Sequence, residues 1–137
     1  MGITGIHHVA IICSDYERSR HFYVKVLGFQ VIQETYRAER QSYKLDLELG
    51  GDRLELFSFL DPPARPSYPE ARGLRHLAFA VENLDELVAR LNQSSVATEP
   101  IRIDHLTGQR FTFFPDPDGL PLELYEIAEI TPNSPKY

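Results

Sequence analysis

The chain has 137 residues, 42% hydrophobic and 25% charged, with a formal net charge of −6, the composition of one soluble globular unit with an ordinary core. No stretch approaches the roughly 20 apolar residues that span a bilayer, and the N-terminus lacks the basic, apolar and small-residue order of a secretory signal, so a cytoplasmic protein without a membrane partner is expected. The negative charge opposes DNA or RNA rather than steering it in, which removes nucleic acid from the expected partners.

Taken in order, residues 6–13 alternate as a strand, Asp15 is an N-cap for a helix over 16–27, and Gly28 stands where a helix ends. Strands follow over 29–37, 42–49 and 53–60, the last two joined by Gly50-Gly51, a dipeptide suited to a two-residue hairpin turn. Pro62, Pro63, Pro66 and Pro69 make 61–73 a stiff, exposed linker. The pattern then returns. Residues 74–81 read as a strand, Asn83 caps a helix over 84–91, and strands near Ile101, over 109–114 and over 120–127 follow, with Asp118-Gly119 as the second hairpin turn. The tail 131–137, with Pro132 and Pro135, is expected to be loosely ordered. The fold class is therefore α+β: one domain over 1–130, made of two tandem β-α-β-β-β modules at about 3–60 and 74–129. The lone Cys13 has no disulfide partner and reads as a small buried hydrophobe.

One pair of positions repeats. His8 stands 47 residues before Glu55 and His76 stands 47 residues before Glu123, so both members recur at an offset of 68. Each histidine sits in an apolar alternating run and each carboxylate in a Leu-Glu-Leu triplet. Alternation places His8 with Ala10 and Ile12, Glu55 with Phe57 and Phe59, and Glu123 with Tyr125 on faces turned away from the helices. Two imidazoles and two carboxylates on strand faces suit one divalent cation, zinc, nickel or cobalt foremost, with iron or manganese as further candidates. His7, His21 and His105 lie off this pattern. The Gly50-Gly51 turn sets Glu55 opposite Asp46, Phe57 opposite Lys44 and Phe59 opposite Ser42. The Asp118-Gly119 turn would set Glu123 opposite Phe114, Tyr125 opposite Thr112 and Ile127 opposite Arg110. Phe57, Phe59, Lys44, Arg110 and Tyr125 are then the candidate substrate-binding side chains, although the aromatic members serve equally as interior filling. Asp116 and Asp118 read first as turn formers.

These residues resemble the vicinal oxygen chelate superfamily, also called the glyoxalase/bleomycin resistance/dioxygenase group, over roughly residues 3–129. The likeness rests on His8-Val9-Ala10-Ile11 with Asp15 beyond, Phe22-Tyr23, Leu27-Gly28-Phe29, the run from Arg75 to Phe79, and Asp116 to Gly119 leading into Leu122-Glu123-Leu124. It is nearest to small bacterial glyoxalase-I-like members. The resemblance implies an open barrel of two modules around a metal, with His8, Glu55, His76 and Glu123 at the ligand positions. It also implies a homodimer, with the site formed within one chain or shared between two.

The activity implied is that of a metal-dependent lyase or isomerase. In such enzymes a metal stabilises an enediolate while a glutamate moves a proton between adjacent carbons of a small 2-oxo or 2-hydroxycarbonyl compound. Glu123 is the expected base and Glu55 the more permanent ligand or second proton-handling group. The glutathione-using pattern places an arginine and an asparagine where this chain has Ile12 and Phe59, which argues against a glutathione adduct as substrate. Two other readings stay open: an extradiol-type dioxygenase using iron(II), which a fourth ligand at Glu55 disfavours, and a non-catalytic small-molecule binding or resistance protein.

Overall fold

Alternation of apolar side chains builds the first strand, β1 (Val9–Cys13), in which Ile11 and Cys13 are buried while Ile12 is turned out. The computed structural model describes residues 2–127; the loosely ordered tail expected over 131–137 lies outside them. Helix α1 (Tyr16–His21) starts where its cap requires, with Asp15 accepting from the Arg18 backbone N–H at 3.1 Å. It continues as a wider π-type turn over Phe22–Val26. Tyr16, Ser19, Phe22 and Tyr23 are the buried residues of this stretch, and their three-to-four spacing makes them one face. Gly28, at φ +86°, ends it in a backbone conformation that costs other residues energy.

Strand β2 (Gln30–Arg37), a 3₁₀ turn at Ala38–Arg40, β3 (Ser42–Leu49) and β4 (Asp52–Ser58) complete the first module. Its sheet runs β1-β4-β3-β2, with β1 parallel to β4 and the other pairs antiparallel. Gly50 and Gly51 take φ of +56° and +91°, forming the expected two-residue turn between the paired Leu49 and Asp52. Glu55 faces Asp46 and Phe57 faces Lys44, as anticipated, but the ladder stops there, so Phe59 lies past the end of β4 instead of opposite Ser42. Leu45, Leu47, Leu54 and Leu56 point to the buried side. Each such leucine contributes about 1.5–3 kcal/mol relative to an exposed one.

The second module repeats the order with β5 (Leu77–Val81), α2 (Leu84–Gln93), β6 (Arg102–Ile103), β7 (Arg110–Pro115) and β8 (Pro121–Glu126) in the sheet β5-β8-β7-β6. Asn83 caps α2 by accepting from the Glu86 N–H at 3.1 Å. The described residues are thus α+β, two β-α-β-β-β modules each with its own four-stranded sheet. By contact the chain divides into two compact units: up to Arg65 together with Asp116–Asp118, and Pro66–Pro115 with the residues from Gly119 on.

Two local departures move side chains from one face to the other. Between Val31 and Gln33 the β2–β3 register slips, so that Val31 pairs with Leu47 but Gln33 pairs with Asp46, and the outer half of β2 turns its alternation over. The expected second hairpin turn is a five-residue loop, because β7 and β8 close at Pro115 opposite Pro121. Pro117 has no N–H for a ladder, and Asp116 instead accepts from the Asp118 N–H at 2.9 Å. The pairing is therefore shifted by one residue from the sequence expectation: Glu123 faces Phe113, Tyr125 faces Phe111, and Thr112 and Phe114 go to the buried side opposite Leu124 and Leu122.

Candidate metal centre

Both histidines of the repeat stand immediately before a strand rather than inside it, His8 ahead of Val9 and His76 ahead of Leu77. The parallel neighbour carries the carboxylate: Glu55 lies beside Ala10 on β4 and Glu123 beside Ala78 on β8. In the first module His8 Nε2 is 2.8 Å from Glu55 Oε2, and in the second His76 Nε2 is 2.9 Å from Glu123 Oε2. The carboxylates are the more enclosed partners, with side chains 13% and 11% exposed against 40% and 28% for the imidazoles. A carboxylate enclosed in this way needs a proton donor or a cation. An imidazole nitrogen and a carboxylate oxygen this close are within reach of one shared proton, and a divalent ion about 2.0–2.2 Å from each would sit to one side of the line joining them, so each pair suits the donor chemistry of a borderline metal. Among the described residues no group of three or more His, Cys, Asp or Glu side chains is assembled to hold a metal; each module offers a pair.

The two pairs have different surroundings. Glu55 Oε1 lies 3.2 Å from Lys44 Nζ, which is also 3.6 Å from Asp46 Oδ1. The hydrogen bond to Glu55, with Asp46 adding to it, holds the Lys44 ammonium above its ordinary pKa against the opposing effect of burial. His8 Nδ1 in turn meets His7 Nδ1 at 2.8 Å, so the neighbour left off the pattern orients the ring. Among the described residues Glu123 has no such cation beside it: Phe111, opposite Tyr125, stands where Lys44 does in the first module, and Phe113, opposite Glu123 itself, meets the His76 ring edge-on at 5.0 Å.

Of the candidate substrate-binding residues, Lys44 and Phe57 share the Glu55 face, and the Phe59 ring stacks on Phe57 at 6.1 Å. Tyr125 shares the face of Glu123 but its hydroxyl is engaged, donating to Asp104 Oδ2 at 2.9 Å and meeting Thr107 Oγ1. That bond and the Leu106 N–H, the larger influence, lower the Asp104 pKa. Arg110 is not on the expected face. The one-residue shift turns it to the other side of β7, where it binds Glu126 at 2.9 Å and Asp85 at 2.8 Å. Sequence reasoning missed Phe111 and Phe113 for the same reason. It also missed Arg37 and Arg102, whose guanidinium carbons lie 4.9 Å above the Phe57 ring and 5.2 Å above the Phe111 ring. The β2 bulge hides Arg37, since unbroken alternation from Val31 puts it on the buried side.

Residues 5–124 match the family model described as the Glyoxalase/Bleomycin resistance protein/Dioxygenase superfamily. The chain is 67% identical over 127 residues to the uncharacterized protein YwkD of Bacillus subtilis (strain 168), covering 92% of this chain and 99% of that one. A glyoxalase family protein from Enterococcus faecalis, known by crystal structure, is 56% identical and superposes with a TM-score of 0.85 over 92% of this chain and all of that one. Relatives with named activities are more distant. A 2-epi-5-epi-valiolone epimerase of Actinomyces sp is 28% identical over 96% of this chain and 84% of its own length. A catechol-2,3-dioxygenase of Bacillus subtilis (strain 168) is 32% identical over 89% of this chain and 41% of its own. With the paired modules and the sheet order they share, the chain belongs to the Glyoxalase/Bleomycin resistance protein/Dioxygenase superfamily.

Proposed function

We propose that this protein is a metal-dependent lyase or isomerase of the glyoxalase-I-like type that moves a proton between adjacent carbons of a small 2-oxo or 2-hydroxycarbonyl compound. The observation that carries the reading is the repeated pair, an imidazole Nε2 within 2.8 Å and 2.9 Å of a glutamate oxygen in the two modules. His8, Glu55, His76 and Glu123 would hold the cation, with zinc, nickel or cobalt matching the mixed nitrogen and oxygen donors. When bound, such an ion supplies Lewis-acid stabilisation of negative charge on a substrate oxygen.

The asymmetry of the pairs supports the division of labour. Glu55 is tied to Lys44, a contact that restrains it as a fixed ligand. Glu123 lies among Ala78 and Phe113 with the His76 imidazole as its polar neighbour, so it is freer to take up and return a proton. The epimerase relative performs chemistry of a kind compatible with this role. The dioxygenase reading is weaker, because Glu55 adds a ligand where dioxygen and catechol would need room. A cytoplasmic homodimer is the proposed working form.

Elemental analysis of the purified protein and of His76→Ala and Glu123→Ala variants tests the ligand set. Stoichiometric metal in the wild type and its loss from both variants is the expected result. Equal metal in wild type and variants overturns the assignment. Metal-reconstituted wild type should then convert a 2-oxoaldehyde or its thiol adduct, and Glu123→Gln should abolish turnover while remaining folded.

A further inference from the structure

A positive charge without a counter-charge among the described residues stands on the Glu55 face. Arg37 ends β2, and the bulge between Val31 and Gln33 turns it onto the side of the sheet that carries Lys44 and Glu55. Its guanidinium lies over two rings at once, 4.9 Å from the Phe57 centroid and 5.6 Å from Phe59. Those rings stack at 11° to one another, so they form a continuous seat. One Nη2 proton goes to the Ser42 hydroxyl at 2.7 Å. Nε is shielded from solvent and has no hydrogen-bond partner among the described residues.

Three other arginines beside these sheets are paired with carboxylates. Arg20 pairs with Glu34 at 2.8 Å, Arg110 with Glu126 and Asp85, and Arg102, which lies over Phe111 and Phe113, with Glu99 at 3.4 Å. No carboxylate lies within ion-pair distance of Arg37 among the described residues. An aromatic seat satisfies the face of a guanidinium but leaves its in-plane N–H groups to be met by something else. Partial desolvation without a counter-ion costs free energy unless a ligand offsets it. Phe57 is two residues from Glu55 on the same face of β4, which sets the seat about 7 Å along the strand from the carboxylate.

We propose that Arg37 is the specificity-determining residue that binds an oxyanion, a carboxylate or phosphate, carried by the substrate, about two strand residues along β4 from the Glu55 carboxylate. The inference rests on the proposed function for the role of Glu55 as a ligand, and it narrows the substrate class to anionic 2-oxo or 2-hydroxycarbonyl compounds. The planar fork of arginine matches such a group with two parallel hydrogen bonds, a geometry lysine does not offer. Phe57 and Phe59 then serve as the platform that orients the fork rather than as the principal substrate contacts.

Titration of metal-free wild-type protein with succinate and with inorganic phosphate, followed by calorimetry and by the arginine Nε–Hε resonances in NMR, tests this without relying on turnover. The Arg37 resonance, identified by its loss in Arg37→Met, should shift saturably with at least one of the two anions. Arg37→Met should bind that anion about ten- to a hundred-fold more weakly, as expected for loss of a charge-assisted hydrogen-bonded pair. Arg37→Lys should recover only part of the affinity, and Arg102→Met should bind like wild type. All three variants should take up metal as the wild type does, so failure of the metal assignment and failure of this one give separate results. Absence of any saturable shift, or wild-type anion affinity in Arg37→Met, overturns the proposal.

Discussion

Tyr23 donates its hydroxyl proton to Asp116 Oδ2 at 2.7 Å, joining positions 93 residues apart. The tyrosine is fully buried and the aspartate 5% exposed. Burial first, and then the Asp116 charge, push the tyrosine pKa far above its ordinary value, so the phenol stays a donor. Asp118 of the same loop accepts from the Ser14 N–H at 3.0 Å, and its second oxygen meets the Ser14 hydroxyl. Residues that sequence suggested were turn formers thus also anchor the π-type turn after α1 and the end of β1.

Tyr23→Phe should lower stability by about 1–3 kcal/mol, the usual cost of leaving a buried polar partner unmet. Urea unfolding checks this, and an unchanged midpoint and slope would show that the hydrogen bond contributes nothing.

The shifted second hairpin makes a pair of neighbouring substitutions diagnostic. Phe114 is buried opposite Leu122, whereas Phe113 lies on the Glu123 face and is only partly covered. Phe114→Ala should cost about 3–5 kcal/mol and Phe113→Ala clearly less. Thermal unfolding of both variants decides it, and the reverse order would restore the register read from the Asp118-Gly119 dipeptide.

Stability should fall at acid pH through identifiable carboxylates. The Arg110 guanidinium lowers the pKa of Glu126 and of Asp85, and Tyr16 with Arg20 lowers that of Glu34. A carboxyl with a lower pKa folded than unfolded binds fewer protons in the native state, so its contribution is full above about pH 5 and fades as pH falls through the depressed folded value. Arg110→Met should flatten this acid limb and leave metal uptake unchanged. Denaturant titrations between acid and neutral pH provide the measurement, and an unaltered acid limb would remove Arg110 as its source.

Cys13 is 1% exposed, and burial, with the Asp118 charge adding, pushes its thiol up to about 11. A thiol-directed chromogenic reagent at mildly alkaline pH should therefore react slowly with native protein and fast once denaturant is added. Rapid labelling of the native protein would contradict the burial.

Much of the architecture was legible because its determinants are local. Asp15 and Asn83 mark the helix starts by bonding to N–H groups three residues on, and Gly50-Gly51 specifies its turn through backbone angles that few other residues accept. The repeat of His8 and Glu55 at His76 and Glu123 likewise needs no structure to be seen, although each histidine stands just before its strand and only the glutamate lies within the parallel neighbour. The sequence alone thus determined the order of elements and the chemical identity of the repeated pair. Tertiary structure decided the β2 bulge that brings Arg37 over Phe57, the loop at Asp116 that sends Phe114 inward and Arg110 away, and the bonding of that loop to Tyr23 and Ser14. Those outcomes depend on contacts between residues that are not neighbours in sequence, from six positions apart at Pro115 and Pro121 to 93 at Tyr23 and Asp116. A slip of one residue leaves local propensities nearly unchanged while exchanging every buried side chain for an exposed one, so only the packed core distinguishes the registers.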